Sequence, residues 1–267
     1  MQTKIAIGAA LIGAVLFGAL ISGYGVAQQT TSEQIQTSFS DKQESEIRDL
    51  VRAYLLDNPE VIIESLTEHQ ARERQNADTR LQDGARENLS ALINGEGAIA
   101  VGADTKNATV AVVEFFDYHC GYCKRANGLV QELTKDDPAV KVVFREYPIL
   151  RAESEIAATY ALAAHKQGKY APFHFDLMEA QGVLTEQRVK DIAKKNGLNL
   201  ATLEKDRKDA KIQSHLAETQ EIAASMGAEG TPTFVIASLN GDFVEVIPGY
   251  SAEGVLAAIE QAKKASE

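Results

Sequence analysis

Cysteine is scarce in this chain of 267 residues, occurring only as Cys120 and Cys123. Two thiols cannot form the several bridges of a disulfide-stapled scaffold, and with no second pair they cannot complete a four-thiolate zinc site. Basic charge is also short. Twenty-seven Lys and Arg face 38 Asp and Glu, a net charge of −11, which repels phosphate backbones and anionic headgroups and excludes nucleic acid as an expected partner. Histidine is sparse too, and His69, His165, His174 and His215 share no metal-ligand spacing, so they read as surface or helix-packing residues. Internal repeats and low-complexity tracts are absent. What is present is 45% apolar residues, enough to bury a core in one large or two modest domains.

Lys4 precedes an almost unbroken apolar run, Ile5 to Ile21, and then the small-residue stretch Ser22 to Ala27. That order predicts an export signal over residues 1–27. Gly25 and Ala27 fit the small-x-small cleavage rule, placing the mature start near Gln28; retention as an uncleaved anchor is the alternative. Either outcome sends the rest of the chain outside the cytoplasm, into a compartment where a lone cysteine pair is handled as a redox couple.

Residues 28–43 are polar and aperiodic and predict a flexible tether. From Glu44 the residues Ile47, Leu50, Val51, Tyr54 and Leu55 recur at helical spacing. Asn58-Pro59 ends that helix and, with Asn58 as N-cap, starts a second one bearing Val61, Ile62 and Leu66. The polar stretch Thr67 to Asn76 predicts a spacer, after which Leu81, Ala85, Leu89 and Leu92 mark a helix that stops at Asn94-Gly95. A pair of short helices cannot bury its own apolar stripe, so residues 44–76 predict a helical self-association segment, with the subunit contact over 44–66. Residues 77–267 form the main domain. Val110 to Phe116 reads as a strand covered on both faces, at the centre of an α/β sheet. Val140 to Phe144 is a second strand, residues 151–229 are a helical insertion, and a hairpin over Thr233 to Ile247 leads to a last helix from Ser251 to Lys264.

Cys120-Gly121-Tyr122-Cys123 lies between the buried strand and a helix. Cys120 falls at the helix N-terminus, where unpaired N–H groups and the helix dipole favour thiolate over thiol, which makes it the nucleophile. Cys123, one turn in, is placed to attack the mixed disulfide that Cys120 forms. An inert bridge is a poor reading, since its loop is too small to stabilise much. Two thiolates alone could also hold Cu(I). Glu114 interrupts the apolar strand six residues before Cys120; a carboxyl there has a raised pKa and could relay a proton for Cys123. Thr231-Pro232-Thr233 begins a strand, a place where a cis bond would turn the chain sharply.

Phe115 to Arg125, together with Gly230-Thr231-Pro232-Thr233-Phe234, resembles the DsbA-like thioredoxin-fold family of exported thiol-disulfide oxidoreductases. Val51 to Ile62 further resembles the N-terminal segment of the suppressor-of-copper-sensitivity protein C (ScsC) group, extending the likeness over about residues 45–263. Members of that group carry this segment as an oligomerisation stalk, in some cases trimeric. The resemblance implies an α/β thioredoxin fold with an inserted helical domain, Cys120 attacking, Cys123 resolving, Glu114 as the buried acid, and a cis Pro232 whose Thr231 holds an extended substrate by strand-like pairing. No cofactor is implied. The Gly121-Tyr122 dipeptide and Thr231 resemble the isomerases DsbC and DsbG, whereas the oxidase DsbA has Pro-His and Val there, which tilts the expected activity towards isomerase. His119 stands where related chains would have Asn; an imidazole beside the thiolate could stabilise it or merely cover the loop. Lys124 and Arg125 either add to the thiolate's field or form a solvated helix face. The partners so implied are unfolded or misoxidised exported proteins and a membrane redox partner. Oxidase activity and Cu(I) handling remain the alternatives to isomerase.

Overall fold

The computed structural model describes residues 39–102 and 106–267. The expected export segment and the tether through residue 38 lie outside the described residues. The chain divides into two compact units, one ending at Pro59 and one running from Glu60 to Glu267. The first contains helix α1, Asp41–Asp57. The Ser40 N–H and hydroxyl both donate to Gln43 Oε1, at 2.9 and 2.8 Å, tying its first turn together. Nothing on α1 is buried, and Ile47, Leu50, Val51, Tyr54 and Leu56 are all exposed. Asn58 does not cap the following helix as the sequence suggests. Its backbone N–H and Nδ2 donate back to Tyr54 O at 2.9 and 2.8 Å, closing α1 before Pro59, which disfavours helical backbone in the residue ahead of it.

Helix α2, Glu60–Glu87, is a single helix of 28 residues. The polar stretch expected as a spacer is therefore helical, and the boundary expected after residue 76 falls inside α2. Glu, Gln, Arg and Ala extend a helix without any apolar face once it is nucleated. The expected helix carrying Leu81 to Leu92 is in fact the end of α2 plus a short α3, Leu89–Asn94.

The core is a five-stranded sheet built from β1 (Ile99–Val101), β2 (Val110–Phe116), β3 (Val140–Glu146), β4 (Thr233–Ser238) and β5 (Val244–Pro248), in the order β1-β3-β2-β4-β5. Strands β2 and β3 run parallel and the other pairs antiparallel. All seven residues of β2 are buried, as a continuous apolar run requires. Alternation sends Val110, Val112 and Phe116 to one face, under α4 (Gly121–Asp136) and α10 (Ala252–Ala265), and Ala111, Val113 and Phe115 to the other. Between β3 and β4 come α5 (Ala152–Lys166), α6 (Tyr170–Glu179), α7 (Glu186–Lys195), α8 (Leu200–Asp206) and α9 (Ala210–Met226).

On the second face, Leu81 and Ala85 of α2 pack with Leu92, Ile93, Ile222 and Met226. A Cβ on Gly84 would lie 2.6 Å from Met226 Cα, so only glycine permits this approach of α2 to α9. The fully buried Arg145 ties the region together. Its Nε donates to Leu92 O at 3.1 Å, its Nη2 to Ala91 O, and its Nη1 to Glu218 Oε2 at 2.9 Å. Gln82 reaches the outer edge of β5, where its Nε2 donates to Val246 O at 3.2 Å and its Oε1 accepts from Val246 N–H at 3.1 Å.

Candidate active site

Strand β2 ends in a turn built around Asp117. Its Oδ1 accepts from His119 N–H and from the Ser154 hydroxyl, both at 2.7 Å, and its Oδ2 from Leu150 N–H at 2.9 Å. Its carbonyl accepts from Cys120 N–H at 3.0 Å. These bonds set Cys120 as the N-cap of α4, with Sγ accepting from Cys123 N–H at 3.4 Å. Across from the helix, the Thr231–Pro232 bond is cis. The Cys120 thiol there donates to Thr231 O at 3.2 Å. The Thr231 hydroxyl is buried without a hydrogen-bond partner.

The two thiols are free and differ sharply. Cys120 is drawn down to about 5, first by donation from the Cys123 thiol and then by the backbone N–H groups of Cys123 and Tyr122, with burial opposing. Cys123 has no exposed surface. Burial, then the neighbouring Cys120 and Glu114, push its thiol well above the ordinary value. Beneath the pair, burial together with Cys120 and Glu146 pushes Glu114 up to about 8. Its Oε1 has no partner. The arrangement supplies a thiolate nucleophile at neutral pH, a protonated thiol in attacking position behind it, and a buried carboxyl able to exchange a proton.

The residues around the pair divide by what they touch. His119 Nε2 accepts from Leu184 N–H at 3.0 Å, so the ring proton sits on Nδ1, 2.9 Å from Ser154 Oγ. Burial lowers its pKa, so the ring is held neutral as a buttress of the Asp117 turn rather than as a cation facing the thiolate. Lys124 is not on a solvated face. Its Nζ donates to Met178 O at 2.9 Å and Ala180 O at 2.6 Å, capping the C-terminus of α6. Gly121 has open space around its Cα. Tyr122 is exposed, with the Arg125 guanidinium 3.9 Å from its ring centroid.

Sequence reasoning missed Asp117, whose signal was a lone acid between an apolar strand and the cysteines. It also missed Glu146, the last residue of β3, which follows Arg145. Glu146 Oε1 accepts from Tyr118 and Tyr170 hydroxyls, each at 2.9 Å. His174 is a buried packing residue of α6, stacked on Tyr170 at 5.5 Å between ring centroids. Among the described residues no group of three or more His, Cys, Asp or Glu side chains forms a metal cluster.

Residues 111–259 match the DSBA-like thioredoxin domain model, more than half of the chain. The chain belongs to the DsbA-like thioredoxin family. The matched span holds the cysteine pair, the buried Glu114 and the cis Pro232. Residues 43–76 match the copper resistance protein ScsC N-terminal domain. A thioredoxin-like oxidoreductase from Silicibacter pomeroyi is 38% identical, with TM-score 0.60 over 66% of this chain and 97% of that one. BcfH from Salmonella enterica Typhimurium is 28% identical, with TM-score 0.66 over 83% and 96%. Proteus mirabilis ScsC in a transitional conformation is 26% identical, with TM-score 0.59 over 84% and 98%. Among curated relatives, a Na(+)/H(+) antiporter NhaA 1 from Salinispora arenicola is 31% identical over 49% of this chain, which spans only 20% of that protein. No helix among the described residues is long and apolar enough to cross a membrane.

Proposed function

We propose that this DsbA-family member is an exported, oligomeric disulfide isomerase acting on cysteines of periplasmic proteins. The observation that carries this reading is the opposed state of the two thiols. Cys120 is a thiolate at neutral pH and attacks readily, whereas Cys123 is buried and holds its proton, so it resolves slowly. A mixed disulfide on Cys120 therefore persists long enough for a second client thiol to displace it. Glu114 takes the Cys123 proton when the enzyme resolves the intermediate itself. Thr231, beside the cis Pro232, offers its backbone to an extended client. Gly121 and Tyr122 set the redox poise of the pair. The ScsC-type segment, with Leu50, Tyr54, Ile62, Ile63 and Leu66 exposed, supports self-association that gathers several active sites around one client. The apolar run Ile5 to Ile21, followed by Gly25 and Ala27, supports export.

Reactivation of scrambled ribonuclease by the chain from Gln28, in reducing buffer, tests the reading. Recovery is expected to require Cys120, to vanish in Cys120→Ser, and to survive in part in Cys123→Ala, where client thiols alone resolve the intermediate. One observation favours a second reading, oxidase. Stabilising the Cys120 thiolate stabilises the reduced enzyme and so makes its disulfide more oxidising. Failure to reactivate ribonuclease, combined with rapid oxidation of a reduced client, would establish that reading. Failure of both would leave Cu(I) binding by Cys120 and Cys123 as the function to measure.

A further inference from the structure

Two carboxyls, not one, lie beneath the cysteine pair. In the parallel ladder Glu114 pairs with Phe144 and Glu146 pairs with Phe116, so the two acids are diagonal neighbours on one face of adjacent strands. Both are buried, at 1% and 3% exposure. Their surroundings differ. Glu146 Oε1 accepts the Tyr118 and Tyr170 hydroxyl protons. Tyr118 Oη is itself 3.0 Å from His174 Nδ1, which must then be the donor. Glu114 Oε1 has no partner. Donated hydrogen bonds favour a carboxylate, an unpartnered buried carboxyl keeps its proton, and one buried negative charge opposes a second.

We propose that Glu146, cradled by Tyr118 and Tyr170, carries the resident negative charge of this pair and thereby sets the pH at which Glu114 accepts the Cys123 proton. Glu146 is a positioning residue that acts through Glu114, and the proposal rests on the role given to Glu114 above. The titratable groups facing the two acids are Cys120 and Cys123 from α4, Asp117 and Tyr118 from the turn, and Tyr170 and His174 from α6. Burial, then Cys120 and Glu146, push Glu114 up to about 8; burial pushes Glu146 up to about 8 as well, against the pull of the Tyr170 and Tyr118 bonds and with a smaller push from Asp117, so the donors held by Glu146 and lacking at Glu114 Oε1 decide which acid ionises first. In the step so controlled, the Cys123 thiol gives its proton to the Glu114 carboxylate and its sulfur attacks Cys120 Sγ of the mixed disulfide. The Cys120–Cys123 bond forms and the client leaves as a thiolate, reduced by the two electrons that the cysteine pair loses.

A self-quenched fluorescent peptide dimer joined by a disulfide reads this step in stopped flow with the reduced full chain. Attack by Cys120 frees one peptide and resolution by Cys123 frees the second; the second phase is identified by its absence from Cys123→Ser. In the wild type that phase quickens as pH rises, because unprotonated Glu114 is the acceptor. Glu146→Gln keeps the tyrosine bonds through its amide oxygen and removes the charge. Its midpoint is expected to fall by about one pH unit, making resolution about tenfold faster below the wild-type midpoint. Tyr118→Phe with Tyr170→Phe strips the donors, lets Glu146 keep its proton, and is expected to shift the midpoint the same way; it serves if Glu146→Gln does not fold. An unmoved midpoint in the folded variant overturns the proposal. A pH limb that persists in Glu114→Gln overturns the role of Glu114 instead, so the two failures are distinct.

Discussion

Cys123 acts on Cys120 before any client arrives. Its thiol is the leading cause of the depressed pKa of Cys120, ahead of the backbone donors. Removing that thiol removes a donor to the charged form, which disfavours the thiolate. Cys123→Ala is therefore expected to raise the midpoint of Cys120 alkylation against pH above its value of about 5. The Cys123 N–H remains, so the midpoint should stay below that of a free thiol, about 8.5. Titration of the alkylation rate with iodoacetamide checks this, and an unchanged midpoint would shift the credit to the backbone. At this scale the sequence is most legible where a residue breaks a pattern. Glu114 stands out because every neighbour on β2 is apolar. Glu146 does not, because it follows Arg145 at the end of β3 and looks like the polar margin of a strand. Only the fold brings Tyr118 and Tyr170, 52 residues apart by number, onto the same oxygen. The role of His119 is likewise set by Leu184 and Ser154, which no local spacing announces.

Among elements, α2 is the least legible and one of the most consequential. Its middle is polar all round and carries no apolar period, so only helix propensity marks it, and propensity is a weak signal. The buried strands β2 and β3 are the reverse case, because burial on both faces demands apolar residues at every position. Strand β1 is too short to register. The far end of α2 docks on α9 through Gly84, and α9 runs directly into the chain leading to Thr231 and Pro232. Gly84→Ala would gain about 1 kcal/mol of helix propensity. Against that stands a Cβ 2.6 Å from the Met226 backbone, and overpacking of this kind costs about 1–3 kcal/mol. The expected net effect is a loss of about 1 kcal/mol, seen as a lower urea midpoint. A gain in stability would show that α2 and α9 can separate without cost.

For the whole molecule, the exposed apolar face of the ScsC-type segment dominates. Leu50 and Tyr54 of α1 are 69% and 56% exposed, and burying a large apolar side chain is worth about 1.5–3 kcal/mol. Leu50→Glu with Tyr54→Glu is expected to lower the mass measured by light scattering to that of one chain. Ribonuclease reactivation should fall with it, while the Cys120 alkylation rate stays unchanged, since the bonds that set Cys120 come from Asp117, Cys123 and Thr231. Retention of the assembled mass would remove this face as the subunit contact. This reading was accessible from the sequence because Ile47, Leu50, Val51 and Tyr54 repeat at helical spacing without enough chain nearby to cover them. An amide side chain that both gives to and takes from Val246 imitates the backbone of a neighbouring strand. The outer edge of the sheet therefore meets an impostor rather than an invitation. A protein whose proposed clients are unfolded chains meets extended polypeptide constantly. By occupying the middle of β5 at Val246 with a side chain, it lowers the chance of being recruited into the aggregates of the very chains it handles.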